Sequence, residues 1–155
     1  MTFDADTYRK RWSRGLVTYP AATSTAIPAG DIEFLLRVGL PRGREPEWNF
    51  NGELLPHPLG YQFGTHCTDQ LVVTQTGEVI KLGGDEQTHV NSGIQKFAEC
   101  LTLRKRPFRF SSSIKDLKDL RCAFEKVDSS ALAETSFWAQ YLLEFEEEKR
   151  EIADQ

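Results

Sequence analysis

The amino-acid sequence predicts a single α+β domain in which helices flank a mixed, mostly antiparallel sheet. Its length of 155 residues suits one domain, which at this size buries roughly two-thirds of its unfolded surface. With 39% hydrophobic and 27% charged residues, the composition is typical of a globular protein. Helical patterns occupy both ends of the chain, whereas short aromatic and β-branched runs fill its middle.

The N-terminal part of the chain predicts two helices joined by a connector. The first covers residues 4–14 and begins at Asp4 or Asp6, since a carboxylate suits a helix N-cap. The second begins at Pro28, because proline is tolerated in a first helical turn, and it stops at Gly39.

The middle of the chain predicts short strands after a charged loop at residues 42–47. Each strand is rich in aromatic or β-branched residues and is bounded by residues that favour turns. Thr76 and Gly77 form a turn signal that joins two of the strands as a hairpin. The strands are expected at residues 48–51, 59–63, 70–74, 78–82 and 88–90.

The C-terminal part predicts three amphipathic helices. The first begins at a capping box made by Ser92 and Gln95, which satisfies backbone N–H groups of the first turn. The second carries an apolar stripe over residues 114–127, and the last begins at Asp128 or Ser130. One face of the last helix is expected to lie in the core: Trp138, Tyr141, Leu142 and Phe145.

Composition and charge exclude several functional classes. The chain lacks a membrane-spanning run of about eighteen apolar residues, and residues 1–14 lack the apolar region of a secretory signal. The odd number of widely spaced cysteines favours reduced, mostly buried thiols in a cytoplasmic protein: Cys67, Cys100 and Cys122. Residues 111–155 carry 6 basic and 11 acidic side chains, an imbalance that disfavours nucleic acid as a partner. A basic cluster suits the C-terminus of a helix: Arg104, Lys105, Arg106 and Arg109.

Motifs for catalysis or metal binding are weak. Residues 83–86 are Gly-Gly-Asp-Glu, part of the signature of cyclic-dinucleotide cyclases, but Gln87 replaces the aromatic residue that follows there. The favoured interpretation is a strand end whose acids face solvent. The histidines lack the spacing of a zinc site: His57, His66 and His89. The sequence therefore predicts no catalytic residue, metal or cofactor, and a nucleotide- or metal-dependent enzyme stays a remote alternative.

An ordered series of motifs runs through most of the chain. It begins with Phe-Leu-Leu-Arg-Val-Gly-Leu-Pro at residues 34–41 and continues through 48–50, 59–60, 76–79, 90–92, Asp128 and 137–138. Over residues 15–148 this series resembles the SUKH superfamily of bacterial immunity proteins, which have a Smi/Knr-like fold, and in particular its actinobacterial-type branch. The resemblance implies one SUKH-like domain over residues 1–155, with an N-terminal helix at 1–14 and a frayed tail at 149–155.

The resemblance also implies a function. Proteins of this kind are non-enzymatic and neutralise a cognate toxin of a bacterial polymorphic toxin system by binding it directly. The toxin is expected to be a nuclease or a deaminase, and the binder a monomer or weak homodimer without nucleic-acid or membrane partners. The same fold also serves as a general interaction domain, so a scaffold role without a toxin partner stays an alternative.

A candidate surface for the toxin follows from charge. Nucleases hold polyanionic substrates in basic clefts, so an acidic face on the inhibitor favours their association. The sequence offers one acidic run in the last predicted helix and a smaller pair in the middle of the chain. The candidate partner-binding residues are Glu144, Glu147, Glu148, Asp85 and Glu86.

Overall fold

The computed structural model describes residues 3–45, 47–104 and 114–153. Within these ranges helices surround an antiparallel sheet, which confirms the predicted α+β class. The α-helices are α1 (Ala5–Arg11), α2 (Ala29–Arg37), α3 (Ile94–Arg104), α4 (Ile114–Val127) and α5 (Phe137–Ala153). Short 3₁₀-helices cover Pro20–Ser24 and Ser129–Leu132. The strands are β1 (Leu16–Val17), β2 (Leu40–Pro41), β3 (Gly43–Glu45), β4 (Trp48–Phe50), β5 (Leu55–His57), β6 (Gly60–His66), β7 (Asp69–Thr74), β8 (Val79–Gly83) and β9 (Glu86–Asn91).

The main sheet is built largely from hairpins. Its strands lie in the order β3-β4-β6-β7-β8-β9, and β5 pairs with the N-terminal end of β6. Every described pairing is antiparallel, and β1 and β2 form a separate antiparallel pair. The predicted turn at Thr76 and Gly77 joins β7 to β8, and Gly77 has a φ of 92°, which favours glycine.

The helices cover one face of the main sheet. Trp48 of β4 lies in the aromatic layer between them, with its ring centroid 5.5 Å from Phe97 of α3 and 5.8 Å from Trp138 of α5. Because side chains alternate along a strand, Val72 and Ile80, which are buried outside this core, face the opposite side of the sheet. The sheet residues of the core are Trp48, Phe50, Phe63, Leu71, Val73, Val79 and Val90.

Specific interactions at their ends fix the N-terminal helices to this core. Asp4 is the N-cap of α1, as predicted, and its carboxylate accepts backbone N–H groups of the first turn. The Tyr8 hydroxyl of α1 donates a hydrogen bond to the Gly39 carbonyl after α2, at 3.0 Å. Gly39 has a φ of 89°, and a Cβ there would collide with the Val17 carbonyl of β1, so the predicted glycine stop is required sterically.

The sequence prediction missed four strands: the separate pair β1 and β2, and the strands β3 and β5 of the main sheet. The segment 42–47, expected to be a charged loop, contains β3, in which Arg44 lies opposite Asn49 of β4. The strand β5 was likewise not predicted. Both are only three residues long, so pairing with a neighbouring strand, and not a side-chain pattern of their own, determines them.

Two predicted helix starts were wrong. The capping box at Ser92 does not form, because α3 begins at Ile94, whose N–H donates to the Asp31 carboxylate of α2 at 3.1 Å. The Ser92 hydroxyl donates instead to Asp128, also at 3.1 Å. Asp128 opens the 3₁₀-helix Ser129–Leu132, and α5 begins only at Phe137. At Ser92 a partner that is distant in sequence replaces the local cap, whereas Asp128 caps the 3₁₀-helix instead of α5.

Replacing Trp138 tests the predicted core. Its side chain is fully buried and its indole N–H donates to Asn91 at 2.9 Å. We expect Trp138→Ala to lower the free energy of unfolding by roughly 3–5 kcal/mol, because it removes a large aromatic side chain from a packed core. Urea denaturation measures this change. Leu143→Ala, at an exposed position of α5, is the matched control, and equal stabilities for the two variants would contradict the core assignment.

Candidate partner-binding surface

The predicted acidic residues of α5 lie on its solvent face. Glu144, Glu147 and Glu148 are exposed, and so is Glu151, which the sequence analysis missed although it lies seven positions after Glu144. Residues three, four and seven positions apart share one face of a helix, so these carboxylates form a continuous row. We call this row the acidic stripe: Glu144, Glu147, Glu148 and Glu151.

The carboxylate of Glu146, unlike those of the acidic stripe, is paired with cations of the protein. Its side chain is 25% exposed and forms ion pairs with Arg121 of α4, at 3.5 Å, and with Arg150, at 2.8 Å. Within the described residues no ion pair involves the acidic stripe. The negative charge of the stripe is therefore presented to solvent, whereas that of Glu146 is neutralised by two arginines.

An apolar side chain lies within the acidic stripe. Leu143 is 42% exposed, directly precedes Glu144 and lies one helical turn before Glu147. A large exposed aliphatic side chain surrounded by charge is typical of an interface, where an apolar contact is enclosed by a polar rim. This face of α5 therefore combines a negative field with an apolar contact point.

The second predicted acidic pair lies in the β8–β9 hairpin. Gly83 pairs with Glu86, so Gly84, with a φ of 57°, and Asp85 form the turn. Asp85 and Glu86 are exposed, which agrees with the interpretation of residues 83–86 as a strand end whose acids face solvent. Among the described contacts, no hydrogen bond or ion pair joins this hairpin to the acidic stripe, so the structure does not bring the two predicted acidic sites into one cluster.

The histidines have partners within the protein. His57 Nδ1 accepts the Leu59 N–H at 3.1 Å, and His66 Nε2 lies 3.3 Å from the Glu47 carboxylate. Burial lowers the pKa of His66 despite that carboxylate. The described part of the chain contains no group of three or more His, Cys, Asp or Glu residues that could hold a metal ion.

His89 takes part in a chain of contacts that resembles a catalytic triad in its distances. Its Nδ1 lies 2.7 Å from Glu78 and its Nε2 lies 2.9 Å from the Ser130 hydroxyl. However, that hydroxyl donates its one proton to the Asp128 carboxylate at 2.7 Å. His89 Nε2 must then donate to Ser130, the reverse of the direction that activates a serine nucleophile. The chain of contacts fits a structural role for Ser130.

Asp128 is the most highly bonded carboxylate of this region. It accepts hydrogen bonds from the Asn91 amide, from the N–H and hydroxyl of Ser92, and from the N–H and hydroxyl of Ser130. Burial alone would raise the pKa of Asp128, but these hydrogen bonds outweigh it and hold the pKa below its ordinary value. The ionised form is therefore the one that the fold stabilises.

Two of the three thiols depart from the expectation of burial. Cys100 is buried, and burial raises the pKa of its thiol to about 12. Cys67 and Cys122 are exposed, so the expectation of mostly buried thiols was wrong. Cys67 lies in the turn after β6 with a φ of 54°, and α4 presents Cys122 to solvent.

Part of the predicted basic cluster can be located. Arg104 is the last residue of α3, where a cation complements the helix dipole, and it lies 3.8 Å from the Glu47 carboxylate. Its contact is thus within the protein, with the turn that precedes β4. The other cations of the cluster lie outside the described residues: Lys105, Arg106 and Arg109.

A comparison with protein families assigns the chain to a family. The model of the SUKH-4 immunity protein family matches residues 13–144. The chain belongs to the SUKH-4 immunity protein family. Membership confirms the resemblance to the SUKH superfamily and implies an immunity function in which a toxin is neutralised. No curated protein and no solved structure matches this SUKH-4 protein, and no helix in its described part is long and apolar enough to cross a membrane.

The Asp128 network predicts how stability depends on pH. Because the pKa of Asp128 is lower in the folded than in the unfolded protein, its contribution is fully present above about pH 4. It is lost as the pH falls below that value and through the folded-state pKa. We expect Asp128→Asn to lower the free energy of unfolding by about 3 kcal/mol at pH 7 and by less at pH 3.

Urea denaturation at both pH values checks this prediction. Asp119→Asn is the matched control, since Asp119 is exposed on α4 and its loss should leave the stability nearly unchanged. A difference between Asp128→Asn and the wild type that stays constant from pH 7 to about pH 3 would contradict the account, because an ionised Asp128 would then contribute nothing.

Proposed function

We propose that this SUKH-4 family member is a non-enzymatic immunity protein that binds a cognate bacterial toxin in the cytoplasm and blocks its activity. The observation that carries the proposal is the family match, which covers residues 13–144. The toxin belongs to the nuclease or deaminase class, which acts on nucleic acid. The immunity protein acts as a monomer or a weak homodimer and needs no cofactor.

The acidic stripe is the surface that this proposal assigns to the toxin. An enzyme that holds nucleic acid presents a basic cleft, and opposite potentials accelerate the encounter of two proteins. The exposed carboxylates of the stripe have no described ion-pair partner, so their full charge acts on an approaching cation. Leu143 then provides an apolar contact that excludes water once the two surfaces meet.

The hairpin acids have a subordinate role in the proposal. Asp85 and Glu86 are exposed at the β8–β9 turn, and their two charges extend the negative field beyond α5. A screened charge acts over only about 10 Å at 0.1 M salt, so a small separate patch contributes less to steering than the stripe. A binding mode that uses both would span the helix and the hairpin.

A non-enzymatic role is supported by the state of Ser130. Among the described residues, this serine and His89 come nearest to a nucleophile with its base, at 2.9 Å. The proton of the Ser130 hydroxyl is held by Asp128, whose carboxylate also accepts the Ser130 N–H. A hydroxyl that donates to a buried carboxylate cannot at the same time donate to the histidine that would activate it.

The steering role of the acidic stripe is directly testable. We expect a variant with Glu144, Glu147 and Glu148 all changed to Lys to associate with the toxin domain about tenfold more slowly than the wild type at low salt. The difference should shrink at high salt, where charges are screened. Stopped-flow measurement of the association rate at two ionic strengths gives both quantities.

A matched control distinguishes an effect of the acidic stripe from an effect of the net charge. Changing Glu53, Asp119 and Glu134 to Lys alters the net charge by the same amount at exposed positions outside α5. This control should associate nearly as fast as the wild type. Equal association rates and equal salt dependence for both triple variants would show that the acidic stripe is only a solvated helix face.

A further inference from the structure

The outer face of the main sheet carries a row of apolar side chains outside the helix-covered core. Val72 of β7 lies opposite Gln62 of β6 and opposite Ile80 of β8, and Gln62 lies opposite Leu55 of β5. Paired residues project on the same side of a sheet, so these four side chains share one face. Leu55 is 50% exposed, whereas Val72 and Ile80 are covered by their neighbours. Apart from Gln62, the row is an apolar band across the outer face.

A depression of about 370 Å³ lies on this outer face. Pro58 and Leu59, in the turn between β5 and β6, form one wall, and Ile80 forms the floor. Thr74 and Thr76, at the turn between β7 and β8, form the opposite rim. Leu59 is 44% exposed, so the wall offers apolar surface to an incoming side chain.

The depression contains one charged group. Of the described residues that line it, Glu78 alone carries a charge, and its side chain is 41% exposed. Its Oε2 atom lies 2.7 Å from His89 Nδ1, which leaves Oε1 for another donor. The hydroxyls of Thr74 and Thr76, 3.0 Å apart, add acceptors on the same rim. An apolar floor is thus combined with a carboxylate and hydroxyl acceptors.

We propose that this depression binds an arginine side chain of a partner protein. An arginine has an apolar stem that can pack on Leu59, and a planar guanidinium with five donors that can reach Glu78 and the two threonine hydroxyls. Lysine fits less well, because its ammonium is a compact and strongly hydrated charge. That this partner is the toxin rests on the proposed function.

The site is tested first with a small probe. The ¹⁵N-labelled full-length chain is titrated with N-acetyl-arginine methylamide, and the lysine and norleucine analogues serve as comparison. We expect saturable shifts at Thr76, Glu78 and Ile80 with arginine, binding at least about threefold more weakly with lysine, and none with norleucine. Equal responses to all three compounds, or arginine-induced shifts confined to the acidic stripe, would overturn the proposal.

Two variants locate the interaction. Glu78→Gln removes the charge but keeps the shape, and it should weaken arginine binding about tenfold. Leu59→Ser removes the apolar wall without touching the Glu78–His89 contact, so it tests the site even if Glu78→Gln loses stability. Glu53→Gln, an exposed acid before β5, is the control and should bind arginine like the wild type. Wild-type affinity in both Glu78→Gln and Leu59→Ser would refute the assignment.

The toxin complex then distinguishes this proposal from the proposed function. A short-range buried contact acts mainly on the dissociation rate, so Glu78→Gln should release the toxin domain about tenfold faster with a nearly unchanged association rate. A wild-type protein that fails to bind any toxin domain would refute the proposed function. Toxin binding with the same dissociation rate in Glu78→Gln would refute only the arginine site.

Discussion

The buried carboxylate of Asp128 is the interaction on which the rest of the fold depends. It joins the end of β9, the turn before α3 and the 3₁₀-helix through Asn91, Ser92 and Ser130. Asn91 extends the connection to α5, because its side-chain oxygen accepts the Trp138 indole N–H. A charge is costly to bury unless hydrogen bonds replace its hydration. If these segments separated, the carboxylate of Asp128 would lose the hydrogen bonds that compensate for its burial. Asp128 therefore couples the sheet to the helices.

The same connection determines which face of α5 is available for binding. Once the hydrogen bond to Asn91 and the stacking on Trp48 direct Trp138 inward, the 3.6-residue helical period directs Glu144, Glu147 and Glu148 outward. The ion pair of Glu146 with Arg121 of α4 holds the helix in the same rotation. The position of the candidate surface is thus a consequence of core packing. The packing of α5 on the core is sufficient to place this surface.

The sequence predicted what depends on local periodicity and missed what depends on distant partners. The apolar stripe that buries Trp138 and the outward row of acids are properties of one helix, so spacing alone is enough to find them. Ser92 has a strong local capping signal, yet its hydroxyl bonds Asp128 across the fold because burial makes the charged contact stronger than a surface cap. The depression at Glu78 is assembled from the turns that flank β6 and β8, so it has no signal in any single segment.

The two candidate contacts differ in the physical quantity that each can change. The acidic stripe is solvated, so its carboxylates act through a long-range field that is screened by salt, and such a field changes the rate of encounter. The depression combines apolar and polar side chains around one carboxylate, so it acts only after contact and changes the lifetime of a complex. The acidic stripe lies apart from the Asp128 network and from the aromatic layer around Trp48, whereas Glu78 is linked to that network through His89 and Ser130. Substitutions in the stripe, or at Leu59 in the depression, can therefore alter partner choice while the fold keeps its stability, and such a separation suits a protein that must discriminate between partners.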